Sequence, residues 1–245
     1  MQWDYIWKEK LKKKNPPEIS DYLEIRYYNI AESIFRRIIG NLKNKKILEV
    51  GCGSGTLSIR LGKRGSKIYL LDGSPYAIEY ARKIMKIKNV KGKLYLGSIF
   101  DLPFRKNFFD VVYSIGTVEH YRDDQILKIL KEKKRVLKNN GIVIIGVPNI
   151  KNPQFLLYYV IKFIKKLMRQ KDVKNIERII TEKKLITLLD IAGYKNIKIE
   201  YIPECIILCP LLKLRPMQNL LKFYSTIEST LLKPFGFIIL AVARK

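Results

Sequence analysis

The feature that most restricts the fold of this chain is a regular alternation of short apolar runs with helical patterns over residues 46–148. Five runs, KILEV, KIYLLD, KLYLGSI, FFDVVYSI and GIVIIGVP, have the aliphatic and β-branched composition of buried strands. The segments TLSIRLGKR, SPYAIEYARKIMKI and DQILKILKEKKRVLK show the spacing of amphipathic helices. Strands that alternate with helices form parallel β-α-β units, so the sequence predicts a doubly wound α/β fold.

Two later runs, KNIKIEYIP and GFIILAVARK, complete a predicted sheet of seven mostly parallel strands. Helical spacing over residues 20–39 predicts a helix ahead of the first strand. We predict one domain with four segments: a helical N-terminal cap at 1–40, a ligand-binding core at 41–149, a basic amphipathic cover insertion at 150–181, and a C-terminal completion of the sheet at 182–245. The last segment contains a second insertion at 205–235.

A glycine-rich turn follows the first strand, in the segment ILEVGCGSGTL. Gly51, Gly53 and Gly55 allow the backbone to approach a ligand closely, and the start of the next helix offers unpaired amide groups. The dinucleotide fingerprint G-x-G-x-x-G fails, because Thr56 or Ser58 stands where a third glycine is required. A Walker loop fails as well, since no Gly-Lys-Ser/Thr follows.

Two acidic residues accompany this turn. Glu49 stands two positions before Gly51, and Asp72 ends the second strand. A carboxylate at the end of the second strand can accept hydrogen bonds from the two hydroxyls of a ribose. The alternative is structural: Glu49 braces the loop and Asp72 caps the turn before Ser74 and Pro75. The pattern favours an adenosine ligand without phosphates.

Four ordered motifs carry a resemblance to a known family: ILEVGCGSGTLSIRL, LLDGSPYAIEYA, LGSIFDLPFRKNFFDVVYSIGTVEH and RVLKNNGIVIIGVPN. They resemble the class I S-adenosylmethionine-dependent methyltransferases, most closely the type 11 group with the enzymes of ubiquinone and menaquinone biosynthesis. The resemblance is close over residues 45–149 and looser over TEKKLITLLDIAGYKNIKIEYI. It implies a Rossmann-like methyltransferase fold, methyltransferase activity, and S-adenosylmethionine as the cofactor of the 41–149 core.

The resemblance also assigns cofactor-binding positions. It implies that the aminocarboxypropyl part of the cofactor is lined by Glu49, Gly51, Gly53 and Gly55. Asp72 would hold the ribose, Ile99 would pack against the adenine, and the methionine portion would lie over Ser114 and Ile115. Ser98 departs from the family, whose members often have an Asp there that binds the adenine amino group; a serine would make a weaker bond.

The chain has a single histidine, His120, which follows Glu119 just beyond the carboxyl end of the fourth predicted strand. Ligand sites of open α/β sheets lie at such ends, and an imidazole titrates near neutral pH, as a general base requires. We therefore take His120 and Glu119 as candidate catalytic residues. The alternative is that the Glu-His pair only positions the helix that follows.

The sequence predicts no metal site. Some relatives bind a divalent metal through Glu-x-x-Glu-His, but Gly116 stands at the first of these positions here. Cys52, Cys205 and Cys209 have no spacing that is typical of metal or disulfide frameworks. The cysteine usage and the lack of an apolar N-terminal leader or membrane span lead us to expect a cytoplasmic protein, with peripheral contact to a membrane as one alternative.

The charge balance bears on the partner, because 48 Lys and Arg against 22 Asp and Glu give a net charge of +26. Such a field attracts nucleic acid or anionic lipid, although compositional drift explains it equally well. Residues 154–171 combine an apolar aromatic face with a basic face, which is typical of a helix on an anionic membrane or of a lid over a pocket.

Two classes of methyl acceptor follow from these observations. The first is a small-molecule or lipid-like acceptor. The second, kept as the alternative, is RNA, with an RNA methyltransferase or a basic RNA-binding protein on the same fold. We prefer the first, because the chain has no Asn/Asp-Pro-Pro-Tyr/Phe motif, no catalytic-cysteine motif for base carbons and no appended RNA-binding module.

Overall fold

The computed structural model describes residues 2–12, 22–152, 155, 178–203 and 236–245. In these ranges seven strands form one sheet: β1 Lys46–Val50, β2 Lys67–Asp72, β3 Gly92–Leu96, β4 Phe109–Ile115, β5 Leu137–Pro148, β6 Lys195–Ile202 and β7 Ile238–Arg244. Their spatial order is β3-β2-β1-β4-β5-β7-β6. Strand β7 runs antiparallel to both of its neighbours, and the other pairs are parallel. The predicted mostly parallel, doubly wound sheet is confirmed.

The described helices are α1 Gln2–Lys12, α2 Tyr22–Ile39, α3 Thr56–Lys63, α4 Pro75–Ile87, α5 Asp123–Val136 and α6 Glu182–Ile191, with a 3₁₀ turn at Val118–His120. Alternate residues of each strand face opposite layers, as the two-residue period of a strand requires. On β1, Ile47 packs with α2 and α3, whereas Leu48 packs with α5 and α6. Helix α4 packs on the same side as α3, so helices cover both faces of the sheet.

The strand order reverses its direction at β1. The chain moves outward from β1 to β2 and β3, and then returns to place β4 on the other side of β1. Helices therefore leave the sheet in opposite directions from β1 and β4, which opens a crevice at their carboxyl ends. This crevice positions the site described below.

Two of the predicted segments lie outside the described residues. They are the insertion at 205–235 and, apart from Phe155, the amphipathic segment at 154–171. The ring of Phe155 stacks on that of Phe237, with 4.7 Å between the ring centroids. No helix within the described ranges has both the length and the apolar character that a membrane crossing needs.

Candidate functional site

A cavity of about 600 Å³ lies where the carboxyl ends of β1, β2 and β4 meet. Seven of the residues that the sequence analysis selected line it: Glu49, Gly51, Gly53, Asp72, Ile99, Ile115 and His120. They lie at the carboxyl ends of three strands, β1, β2 and β4, or in the segments that follow β1, β3 and β4, so the cavity depends on the strand order of the sheet. This volume is within the range of small-molecule sites.

The glycine turn after β1 is shaped by close contacts. Gly53 has φ +51°, and a Cβ atom on it would lie 2.6 Å from Cζ2 of Trp7. Gly51 has φ +73°, and its Cβ would lie 2.8 Å from the side chain of Thr117. Both positions lie in the left-handed region and have no room for a side chain, so the sequence requires glycine there. The exposed turn backbone forms one wall of the cavity.

Asp72 ties this turn to the start of α4. Its Oδ2 atom accepts a hydrogen bond of 2.9 Å from the backbone N–H of Gly53, and Oδ1 accepts one of 2.9 Å from that of Ser74. Burial raises the pKa of this carboxyl above its ordinary value, while the backbone donors act in the opposite direction. Each carboxylate oxygen can accept a second hydrogen bond, so Asp72 keeps acceptor capacity toward the cavity.

Glu49 is buried at the base of the cavity. Its Oε2 atom has no hydrogen-bond partner among the described residues. Burial raises the pKa of the carboxyl to about 7, although hydrogen bonds from Ser58 and Tyr113 lower it in part. A buried acceptor of this kind is costly unless a donor, best a cation, pairs with it. The residues therefore fit a ligand that carries an ammonium group and a ribose.

Helix α1 lies within the predicted N-terminal cap at 1–40 and covers this cavity, but the sequence analysis selected none of its residues for the site. Trp3, Asp4 and Trp7 of α1 line it. The ring of Trp3 meets that of His120 edge to face at 5.0 Å, and Trp7 packs against Tyr80 at 5.3 Å. The i, i+4 spacing of the two tryptophans is a helical signal that could have identified this face.

An aromatic wall continues from α1. Tyr27 and Tyr28 of α2 and Tyr121, next to His120, also line the cavity. The ring of Phe100 meets that of Tyr121 at 5.3 Å. The lining therefore combines acidic side chains and turn backbone with aromatic rings and an imidazole.

Four of the selected residues do not line the cavity. Gly55 shapes the turn, since its φ is +66° and its N–H donates to the Cys52 carbonyl at 2.8 Å. Ser98 is exposed, and its Oγ accepts from the Phe100 N–H at 3.1 Å. Ser114 and Glu119 are buried behind the cavity wall. The predicted roles of these four in ligand binding or catalysis remain predictions.

The described residues contain no group of three or more His, Cys, Asp or Glu side chains placed to hold a metal ion. Cys52, which lines the cavity, is buried and has a free thiol. Burial raises the pKa of this thiol well above its ordinary value, so it is a neutral filler and a poor nucleophile at neutral pH. Among the described lining residues, the carboxyl groups are those of Asp4, Glu49 and Asp72, and they share the cavity with the imidazole of His120 and the side chain of Lys10.

The strand order and this cavity define a class of protein, and comparison with known proteins agrees with it. Residues 48–145 match the family model of a methyltransferase domain. The resemblance to the class I S-adenosylmethionine-dependent methyltransferases of the type 11 group, which the sequence motifs indicated, is confirmed over residues 48–145.

Three similar proteins illustrate this resemblance. An uncharacterized protein of Methanocaldococcus jannaschii is 32% identical over 56% of this chain and 58% of its own length. A ubiquinone biosynthesis O-methyltransferase of Pelagibacter ubique is 35% identical over 44% of each chain. The structure of magnesium protoporphyrin IX methyltransferase from Synechocystis, which holds bound SAH, superposes with a TM-score of 0.61 over 98% of this chain and 92% of that one, at 15% identity. The chain spans about half the length of the curated relatives it matches.

Proposed function

We propose that this chain transfers a methyl group from S-adenosylmethionine to a small-molecule or lipid-like acceptor. The observation that carries the proposal is the composition of the cavity lining. Glu49 and Asp72 line the same cavity as His120 and several aromatic rings. One compartment thus offers groups for a charged adenosine cofactor beside groups for an apolar acceptor with an acidic proton.

The acidic side chains suit the cofactor. The unpaired Oε2 of Glu49 would accept from the ammonium of its methionine portion, and the remaining acceptor capacity of Asp72 would serve the ribose hydroxyls. Ile99 is buried at the cavity wall and offers an apolar surface to the adenine. Ser98 is exposed and already accepts from the Phe100 N–H, so the adenine amino group gains little from its hydroxyl.

The aromatic side chains of the lining suit the acceptor. When bound, S-adenosylmethionine supplies a methyl group on a positively charged sulfur, which becomes a neutral thioether after transfer. The chain contributes orientation, exclusion of water, and removal of the proton that the acceptor hydroxyl loses. His120 is the candidate base, and its ring meets that of Trp3 edge to face. Glu119, the second candidate catalytic residue, is buried and does not line the cavity.

The nature of the acceptor is inferred from the wall. Trp3, Tyr27, Tyr28 and Tyr121 bring four aromatic rings to the lining, each with one polar atom. Such a wall binds a planar or apolar molecule through burial and ring packing. The Pelagibacter ubique relative is named for ubiquinone biosynthesis, which accords with an acceptor of this kind.

We further propose that residues 154–171 make peripheral contact with a lipid surface near the acceptor. The test compares co-sedimentation with anionic vesicles for the wild type and a Tyr159→Ser, Phe163→Ser variant. Phe155 is left unchanged because it packs on Phe237. A matched control replaces Ile87 and Ile191 by Ser. These two side chains lie elsewhere on the surface, and their exposed fractions are 52% and 59%. Loss of vesicle binding in the first variant alone supports the contact, and equal binding in all three proteins contradicts it.

RNA remains the second candidate acceptor, because a specific observation favours it. A second concave surface, at the amino ends of β2 and β3, is lined by Lys63, Lys67, Lys88, Lys91 and Lys93. Together with the net charge of +26, these ammonium groups suit phosphates of a polyanion. The surface lies at the opposite end of the sheet from the cavity, so an RNA bound there would have to span the domain to reach His120.

The experiment that decides between the acceptors is an open search. Protein is incubated with isotope-labelled S-adenosylmethionine and with separated lipid, small-molecule and RNA fractions of an extract. We expect label in an apolar small molecule or lipid. Label in the RNA fraction alone would replace the first proposal by the second, and a lack of label in every fraction, with tight cofactor binding, would contradict both.

A further inference from the structure

Helix α1 brings a lysine to the cavity. The side chain of Lys10 lines the cavity together with Trp3 and Trp7 of the same helix. The three residues follow an i, i+4, i+7 spacing, so they share one face of α1. Among the described residues of the lining, no other Lys or Arg occurs. Lys10 is thus the one permanent cation that this part of the chain places in the cavity.

Trp7 holds the Lys10 ammonium close to the glycine turn. The Nζ atom of Lys10 lies over the Trp7 ring, 4.5 Å from its centroid. Trp7 in turn packs against Gly53, where a Cβ atom would lie 2.6 Å from its Cζ2 atom. The neighbouring Glu9 pairs with Lys12 at 2.6 Å, and Lys10 forms no ion pair with a described residue. A positive charge therefore stands beside the turn without a carboxylate to neutralise it in the described ranges.

The cofactor brings a negative charge that needs a partner. The methionine portion of S-adenosylmethionine carries a carboxylate beside its ammonium group. Because Asp4, Glu49 and Asp72 also line the cavity, that carboxylate is repelled unless a cation faces it. His120 has to be neutral to serve as a base, so its imidazole is not that cation.

The amide groups of the glycine turn are already engaged within the protein. The N–H groups of Gly51 and Cys52 both donate to the Leu71 carbonyl, at 2.8 Å and 3.0 Å. The N–H of Gly53 donates to Asp72 at 2.9 Å. These three donors are therefore not available to an anion, and a charged donor from outside the turn suits the carboxylate better.

We propose that Lys10 binds the carboxylate of the cofactor's methionine portion, while Glu49 takes the ammonium group. Helix α1 then supplies one of the two charges that recognise the amino-acid part of the cofactor. Trp7 is the positioning residue that keeps the lysine side chain at the turn. The inference rests on the cofactor assignment within the proposed function and does not depend on the acceptor.

Calorimetry with two ligands isolates the carboxylate. S-adenosylhomocysteine, the product of methyl transfer, has both charged groups, whereas its decarboxylated analogue keeps the adenosine and the ammonium alone. Lys10→Met removes the charge and keeps a long apolar side chain. Because Lys10 is exposed, we expect a moderate effect: S-adenosylhomocysteine should bind roughly fivefold to tenfold more weakly. The decarboxylated analogue should bind equally well or more tightly, since Lys10 repels its ammonium group.

Lys8→Met is the matched control. Lys8 is exposed on the same helix, and its Nζ atom lies over the ring of Tyr76, 5.9 Å from the centroid. Neither of these two described residues lines the cavity. The control removes the same charge, so it should change the affinity for either ligand by less than about twofold.

Three results would overturn the proposal. Equal weakening of both ligands by Lys10→Met would mean that the lysine acts through the packing of α1 and not through the carboxylate. An unchanged affinity for S-adenosylhomocysteine, or an equal loss in Lys8→Met, would remove Lys10 from the site. A wild type that binds neither ligand would overturn the cofactor assignment and this inference with it, whereas the identity of the labelled acceptor bears on the proposed function alone.

Discussion

Replacement of Glu49 by Gln removes a buried ionisation from the base of the cavity and should change how stability depends on pH. Burial is the largest cause of the raised pKa of Glu49, and the negative charge of Asp72 adds to it. Gln has nearly the same shape as Glu and can keep hydrogen bonds with Ser58 and Tyr113. The variant therefore tests the charge with little change in packing.

The sign and size follow from the two states of the chain. The folded protein holds the Glu49 proton more tightly than the unfolded chain, since its pKa is about 7 in place of 4.5. The protonated form thus stabilises the folded state fully below about pH 4.5, and this stabilisation is lost as the pH rises through about 7. The rise from 4.5 to about 7, at about 1.4 kcal/mol for each pH unit, corresponds to roughly 3 kcal/mol.

The assay is urea unfolding followed by circular dichroism, without cofactor, at several pH values between about 5 and 8. Other carboxyls titrate in both proteins, so the quantity to compare is the difference in free energy of unfolding between wild type and Glu49→Gln. We expect the free energy of unfolding of the variant to rise relative to that of the wild type by up to about 3 kcal/mol as the pH increases across this range. Parallel curves for the two proteins would refute the assignment of a raised pKa to Glu49.

Three further predictions concern the same cavity. Asp72→Asn should weaken binding of S-adenosylmethionine by about 1.5–3 kcal/mol in calorimetry, with the exposed Asp101→Asn as control; equal affinity would remove Asp72 from the site. Gly53→Ala should lower the free energy of unfolding by about 1–3 kcal/mol. Gly40→Ala is the control, because Gly40 also has a positive φ but nothing lies within 4 Å of a Cβ atom there. An equally large loss of unfolding free energy at Gly40 would show that the contact with Trp7 does not contribute to the loss at Gly53. Methyl transfer should survive a chelator, because Gly116 replaces the first acid of the metal-binding pattern; activity lost to chelator and restored by magnesium would contradict this.

The sheet and the two acidic residues of the cavity, Glu49 and Asp72, could be predicted because the sequence signals for them are local. Strand periodicity placed β1 and β2, and the strand ends placed Glu49 and Asp72 at one edge. Strand β5 begins at Leu137, earlier than predicted, because Leu137 pairs with Phe109 before the left-handed Asn140. That pairing is a long-range contact, and no local pattern encodes it.

The sequence predicts the cover over the cavity and the buried lysine less directly than it predicts the sheet. The approach of Trp7 to Gly53 joins residues far apart in sequence, so propensity gives no indication of it. Lys133 stands four residues after Ile129 and three after Leu130, on the apolar face of α5. That spacing was a usable signal, but a lysine in a basic helix is ordinarily assigned to solvent. Its tertiary hydrogen bond to Oγ of Ser114 satisfies one of its donors in the buried position.

The antiparallel strand has a consequence for the order of folding. Among the described strands, β6 lies at the edge of the sheet and pairs with β7 alone, yet β7 follows it in sequence. During synthesis β6 thus waits with both edges unpaired, as does the outer edge of β5, until β7 enters between them. The five strands from β3 to β5 can assemble earlier, because their neighbours precede them or follow closely. Strand β7 thus covers the open edges of β5 and β6 in one step. A chain stalled before residue 236 would leave these two edges exposed to pairing with other chains.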